Sequence, residues 1–173
     1  VLRNYIGTNR AGTAAVGNQV GIAINSGASG NFVGLGPYAD NIIAGNVTHG
    51  ISIVGSNDNY LYGNHIGTNA AGTAAIPNGA NGIHLDGSDG NEVGSTAGAG
   101  LGNLISGNGS DGVWMGGGSS GNRLKANVIG TSWSGIGGLG NQGHGVFLGS
   151  SPDNWIGGTE PGAANVIAFN GAD

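Results

Sequence analysis

A near-identical stretch occurs twice in this chain of 173 residues, as NYIGTNRAGTAA from Asn4 and as NHIGTNAAGTAA from Asn64, and a third copy opens as NVIGTSWSG at Asn127. A catalytic motif is usually needed only once, so repetition at a fixed spacing indicates architecture. A shorter repeat lies within this long repeat. Segments that open with Gly and continue with alternating aliphatics begin at Gly21, Gly50, Gly82, Gly112 and Gly145. Their spacing of 29 to 33 residues defines a repeating unit of about 31 residues.

Each unit holds two further short segments, both of which open with Asn. The first Asn column comprises Asn31, Asn59, Asn91, Asn122 and Asn154, and the second comprises Asn41, Asn64, Asn103, Asn127 and Asn165. The three segments of a unit alternate aliphatic and other residues, lack helical periodicity and are separated by Gly, Asn and Ser turns. This pattern predicts an all-β parallel β-helix, or β-solenoid, of about five coils of roughly 31 residues, with three strands of four to five residues per coil.

The whole chain, 1–173, is predicted to be a single solenoid segment. Its long loop follows the second strand in odd coils and the third strand in even coils, so two coils make a larger repeat, approximately 4–63, 64–126 and 127–173. Val1 aligns with the inside of a second strand, and the last residues align with the turn before a first strand. We therefore expect both ends to be uncapped, which leaves strand edges open for further coils.

The recurrent Asn predicts a ladder along the solenoid. A side-chain amide both donates and accepts hydrogen bonds, so identical Asn residues in neighbouring coils can bond to one another. The alternative reading, that Asn is present because it tolerates turn dihedral angles, is compatible with the ladder.

Composition excludes several classes of protein. The net charge is −5 with only four Lys plus Arg, which argues against a nucleic-acid partner. No apolar run approaches the roughly 20 residues of a membrane span, so no membrane insertion is expected. The chain has no Cys and cannot be a disulfide scaffold.

The segment GISIVGSNDNYLYGNHIGT, from Gly50 to Thr68, resembles the right-handed parallel β-helix repeats of the pectin-lyase-like superfamily. It is more closely similar to the Gly- and Asn-rich NxIGT arrays of large bacterial secreted and surface proteins. This resemblance implies an extracellular or cell-surface location and a structural or adhesive role as a stalk, filament or surface array. The implied partners are further coils of the same chain or head-to-tail copies of it, and polysaccharide. The superfamily also contains polysaccharide lyases and glycoside hydrolases, so a carbohydrate-active enzyme is the alternative.

The densest polar cluster is GIHLDGSDGNE, which contains His84, Asp86, Asp89 and Glu92. Such a set could bind Ca²⁺ or supply an acid and a base. Against this, Asp89 is an ordinary turn residue and Glu92 lies opposite Arg123 in the next coil, and the chain lacks the adjacent aspartates of galacturonase-like enzymes. We therefore assign no catalytic residue, no metal site and no cofactor, and keep His84, Asp86 and Glu92 as candidates with Ca²⁺ as the alternative cofactor.

Outward-facing aromatic residues suggest contact with carbohydrate. His84, Trp114 and Phe147 occupy one column of the first strand, and Trp155 lies on the second strand. Flat aromatic faces suit sugar rings, which predicts ligand binding at these four residues. The alternative is that the rings stack on one another or lie under a loop.

The outward column of the third strand is more apolar than a solvated surface should be, as Ile42, Leu104, Val128 and Val166 show. We expect the loops that begin GTNRAGTAAV and GTNAAGTAAI to fold back over it, with cover by another chain as the alternative. His49 and His144, each just before a first strand, are interpreted as turn residues.

Two Asn residues match a glycosylation acceptor, Asn46 in NVT and Asn108 in NGS. Both lie in equivalent loops, and modification there would require a host that glycosylates such sites.

Overall fold

The computed structural model describes residues 1–36 and 41–172. Part of the predicted GLGPYAD loop, with Pro37, lies outside them. The described residues form sixteen strands and no helix, and the strands make three sheets in which every pairing is parallel. Each coil adds one strand to each sheet, and every strand inside a sheet pairs with its counterparts one coil above and one coil below. The predicted parallel β-helix is confirmed.

The strand bounds follow the three columns of the repeat. The first sheet contains β2 (Ile22–Asn25), β5 (Ile51–Val54), β8 (Ile83–Asp86), β11 (Val113–Gly116) and β14 (Val146–Leu148). The second sheet contains β3 (Phe32–Val33), β6 (Tyr60–Leu61), β9 (Glu92–Val93), β12 (Arg123–Leu124) and β15 (Trp155–Ile156). The third sheet contains β1 (Tyr5–Ile6), β4 (Ile42–Ile43), β7 (His65–Ile66), β10 (Leu104–Ile105), β13 (Val128–Ile129) and β16 (Val166–Ile167).

The strands of the second and third sheets are two residues long, so the predicted length of four to five residues is wrong for them. Only the first sheet approaches it, with strands of three or four residues. The cause is a corner in the chain immediately after the short strands. Gly34 and Gly94 follow β3 and β9 with φ of 76° and 73°, a left-handed conformation that ends the extended segment.

The core is a column of aliphatic side chains along the axis of the helix. In each strand the inward residues are aliphatic, and in the middle coils Ile53, Leu85, Leu61, Val93 and Ile105 are fully buried. These residues come from all three sheets, so each coil closes around its own apolar layer and packs on the layers above and below. Because no coil can bury enough apolar surface alone, stability depends on stacking.

Both predicted Asn ladders are present. At Asn59, for example, the backbone N–H and Nδ2 donate to Oδ1 of the Asn in the following coil, and Nδ2 also donates to a carbonyl of the preceding coil. The side-chain bond from Asn59 to Asn91 is 3.1 Å and that from Asn91 to Asn122 is 3.0 Å. The second ladder starts at Asn4 and continues through its five predicted members. The buried amides are therefore satisfied within the protein, as buried polar groups must be.

A third ladder, which the sequence did not predict, runs along the corner that follows the third sheet. Its members are Asn18, Asn46, Asn78, Asn108, Asn141 and Asn170. The two candidate glycosylation sites belong to it, since Asn46 is 2% exposed and Asn108 is fully buried. A glycan on either Nδ2 would replace a buried hydrogen bond to the next coil, so the folded protein offers no acceptor at these positions.

Candidate functional surface

The aromatic column of the first sheet is a stack of rings that cover one another. The His84 ring lies between His49, at 4.4 Å and 18°, and Trp114, at 4.4 Å and 12°. Trp114 lies over Gly116 of its own strand, where any Cβ would overlap the indole. Phe147 pairs with Trp114 in strand register, but its ring contacts His144. Rings from both adjacent coils cover the two faces of the His84 imidazole, so neither face is open to a sugar. Sugar stacking on His84 therefore stays a prediction.

The two stacked imidazoles are partly buried, and this governs their protonation. Burial lowers the pKa of His49, and the neighbouring His84 lowers it further. Burial also lowers the pKa of His84, with Asp86 opposing the change in part. Both shifts favour the neutral ring. The interpretation of His49 as a plain turn residue was therefore incomplete, because its ring begins the stack.

The three candidate catalytic residues divide between two sheets. His84 and Asp86 lie on β8, whereas Glu92 lies on β9 in the second sheet. Glu92 accepts a hydrogen bond from the Tyr62 hydroxyl and lies 3.8 Å from the Arg123 guanidinium. Burial and the Glu92 contact both raise the pKa of Tyr62. Glu92 thus belongs to a surface network with Tyr62 and Arg123, on a different sheet from the His84 ring stack.

Asp89 has a structural role in the turn between these strands. Its backbone N–H donates to Oδ1 of Asn57 in the preceding coil, and its Oδ1 accepts from the backbone N–H of Ser120 in the following coil, both at 2.8 Å. Over residues 1–36 and 41–172, no group of three His, Asp or Glu side chains is arranged to hold a metal ion.

The outer face of the second sheet carries a continuous strip of aromatic and charged groups. Phe32 and Tyr60 stack at 4.7 Å, and Arg123 lies over the Trp155 ring at 5.0 Å. Lys125 forms an ion pair with Glu160 at 2.7 Å beside them, along a shallow cleft of about 300 Å³. Of the four predicted carbohydrate contacts, Trp155 is the most open, with 54% of its surface exposed. The sequence analysis missed Lys125 and Glu160, which approach only when two coils stack.

The predicted cover over the apolar column of the third sheet is present for part of the column. Leu104 is fully buried and Ile42 nearly so, whereas Val128 is partly buried and Val166 is 45% exposed. Gly72, in the second of these loops, lies directly over Leu104, since a Cβ there would be 2.8 Å from Leu104 Cδ2. The same loop is closed by a bridge between Thr68 and Ala75. The loops therefore act as covers for the solenoid wall.

The third copy of this loop differs from the first two in what it exposes. Trp133 stacks on His65 at 5.5 Å and 30°, and 46% of its surface remains exposed. It lines a cleft of about 580 Å³. Trp133 was not among the residues predicted from the sequence. It could have been found from the difference between NVIGTSWSG and the two earlier copies of the loop.

Comparison of the chain with protein-family models, with curated proteins and with solved structures found no match. Among the described residues, no helix has the length and apolar character needed to cross a membrane.

Proposed function

We propose that the chain is a structural or adhesive segment of an extracellular β-helical stack, such as a stalk, filament or surface array. The observation that carries this proposal is the continuity of the three Asn ladders and of the aliphatic core through every coil. In this arrangement the buried side-chain amides of the ladders join each coil to the next. The architecture therefore supports a load-bearing or display role along one axis.

The ladders have a direction, and this makes the two outer edges of the described solenoid chemically different. Within each ladder, the inner Asn residues donate to the Asn of the following coil and accept from the Asn of the preceding coil. Asn4 and Asn18 accept no ladder bond among the described residues, so their Oδ1 atoms face the outer edge beside β1. Asn165 and Asn170 receive bonds from Asn127 and Asn141 but donate to no further Asn within the described residues, so the ladders end at the opposite edge.

Apolar groups at the second edge reinforce the same conclusion. Ile167 occupies the register of the fully buried Ile129, and Val166 that of Val128, yet they are 43% and 45% exposed. A coil laid over them would bury this surface and extend both ladders. Donor and acceptor edges match only when coils follow one another in the same orientation. We propose further coils of this repeat as the partner, from the same chain or from a second copy in head-to-tail order.

Light scattering and negative-stain electron microscopy of the purified chain over a range of concentrations test this proposal. We expect rods one solenoid wide that lengthen with concentration. Ile167→Lys places a charge in the core register of the outer edge and is expected to yield single particles. Val47→Lys makes the same change on an exposed side-wall residue and is expected to leave the rods intact. Monodisperse single particles from the unaltered chain at high concentration would contradict the proposal.

A further inference from the structure

The cleft beside Trp133 is formed where loops of successive coils meet. One wall is the long loop that leaves β9, the floor includes Val128 of β13, and the remaining wall comes from the loop after β15. With a volume of about 580 Å³, it falls within the range of small-ligand sites. Its principal side chains are Ser95, Thr96, Leu101, Val128, Trp133 and Pro161.

The fold of the loop does not require a large aromatic residue at the position of Trp133. The equivalent positions in the first and second copies of the loop are Arg10 and Ala70, and all three loops close with the same kind of bridge. Ala70 in the second copy therefore shows that a small side chain is compatible with this turn. Ile136 departs in the same way, since it is 82% exposed where Thr73 stands in the second copy. Exposed apolar groups in one copy only are typical of a contact site.

The indole is held in position by the strand and loop two coils earlier. Its ring stacks on His65 of β7, and its backbone N–H donates to the Gly72 carbonyl at 3.3 Å. Gly72 has φ of 65° and lacks the Cβ that would lie 3.4 Å from Trp133 Cβ and 3.6 Å from the His65 ring. Because one face of the indole is already packed on His65, the side chain loses little conformational entropy when a ligand binds to the other face, which favours affinity.

The lining chemistry selects the class of ligand. No lining residue carries an ionisable side chain, so an anionic or cationic ligand would find no counter-charge in the cleft. The Ser95 and Thr96 hydroxyls and the backbone of the Gly-rich loop supply donors and acceptors, which a purely apolar ligand would leave unpaired. An aromatic face beside uncharged polar groups matches a pyranose ring, which is apolar on its C–H face and bears hydroxyls at its edge.

We propose that this cleft binds a neutral saccharide, with Trp133 as the stacking platform. The site is separate from the edges at which coils stack, so it can be tested whether or not the chain forms rods. Trp133→Ala is the matched variant, because Ala is the residue that the second copy of the loop already carries. Trp155→Ala is the control, because it removes the other strongly exposed indole, on the second sheet.

The probes are β-1,4-linked glucose, xylose and mannose hexasaccharides, with polygalacturonate as the anionic comparison, measured by titration calorimetry and by tryptophan fluorescence. We expect at least one neutral probe to bind, Trp133→Ala to weaken it at least tenfold, and Trp155→Ala to leave it within about twofold. Circular dichroism and a melting curve check that each variant is folded, and Trp133→Phe, which keeps a flat ring, is expected to retain part of the affinity.

Four results would overturn the proposal. Absence of binding by every neutral probe would remove the site, and equal binding by the parent and Trp133→Ala would exclude the platform. Preference for polygalacturonate, or loss of binding only in Trp155→Ala, would transfer recognition to the charged strip of the second sheet.

Discussion

Replacing one Asn in the middle of a ladder is expected to cost far more than replacing one at its edge. Asn91→Ala removes the Oδ1 that accepts from both the backbone N–H and Nδ2 of Asn59, at 3.0 and 3.1 Å. Asn59 is fully buried, so its backbone N–H cannot turn to water, whereas Nδ2 keeps the carbonyls of Ala28 and Asn57 as acceptors. A buried donor left unsatisfied costs about 1–3 kcal/mol, which is the destabilisation expected for Asn91→Ala.

Asn31→Ala is the matched control on the same ladder. Asn31 is exposed and donates to Asn59 Oδ1, but no described residue donates to its own Oδ1. We expect its loss to cost less than about 1 kcal/mol. Urea unfolding followed by circular dichroism measures both free energies, and the melting temperature should fall by on the order of 10 °C for Asn91→Ala. Equal destabilisation by the two variants would refute the ladder as the source of stability.

Three further predictions concern the ring stack and the buried Asn column. Gly116→Ala inserts a Cβ into the space of the Trp114 ring and is expected to destabilise the fold by about 1–3 kcal/mol in urea unfolding, with altered tryptophan fluorescence. The folded-state pKa values of His49 and His84 lie below the ordinary value of 6.5, so the unfolded chain binds protons first and stability should fall as pH drops below 6.5. The urea midpoint should therefore fall between pH 7.5 and 5 more in the parent than in a variant with Phe at both positions. Equal changes in the two proteins would argue against this. Expression in a glycosylating host should yield folded protein with no glycan at Asn108, and mass spectrometry of the folded fraction that finds one would contradict its burial.

The solenoid could be predicted from sequence because its determinants are local and recur in register. Aliphatics at alternate positions place Ile53 and Leu85 in one inward column, and Asn59 and Asn91 align by counting alone. The third ladder was missed because its distance from the third strand alternates. Asn46 follows the third-strand Asn41 by five residues, whereas Asn78 follows Asn64 by fourteen because the long loop intervenes.

The outward surfaces were harder to predict because they depend on side-chain direction and on loops from different coils. The sequence placed His84 and Trp114 in one column, but it did not show that His49 reaches across from a turn to cover the His84 ring. Trp133 was overlooked for a similar reason. Its cleft exists only where the loops after β9, β13 and β15 come together, and no single segment of sequence contains that arrangement.

Directed cross-linking between copies tests the central claim, that coils stack with one polarity. The chain has no Cys, so Tyr5→Cys on one copy and Val166→Cys on another introduce the only thiols. In head-to-tail order these outward residues would be neighbours across a new parallel pair, about 4.8 Å apart and within the Cα range of a disulfide. We predict disulfide-linked dimers when the two variants are mixed under oxidising conditions and few when either is oxidised alone. Equal yields in the single-variant samples, or no cross-link in the mixture, would contradict the account.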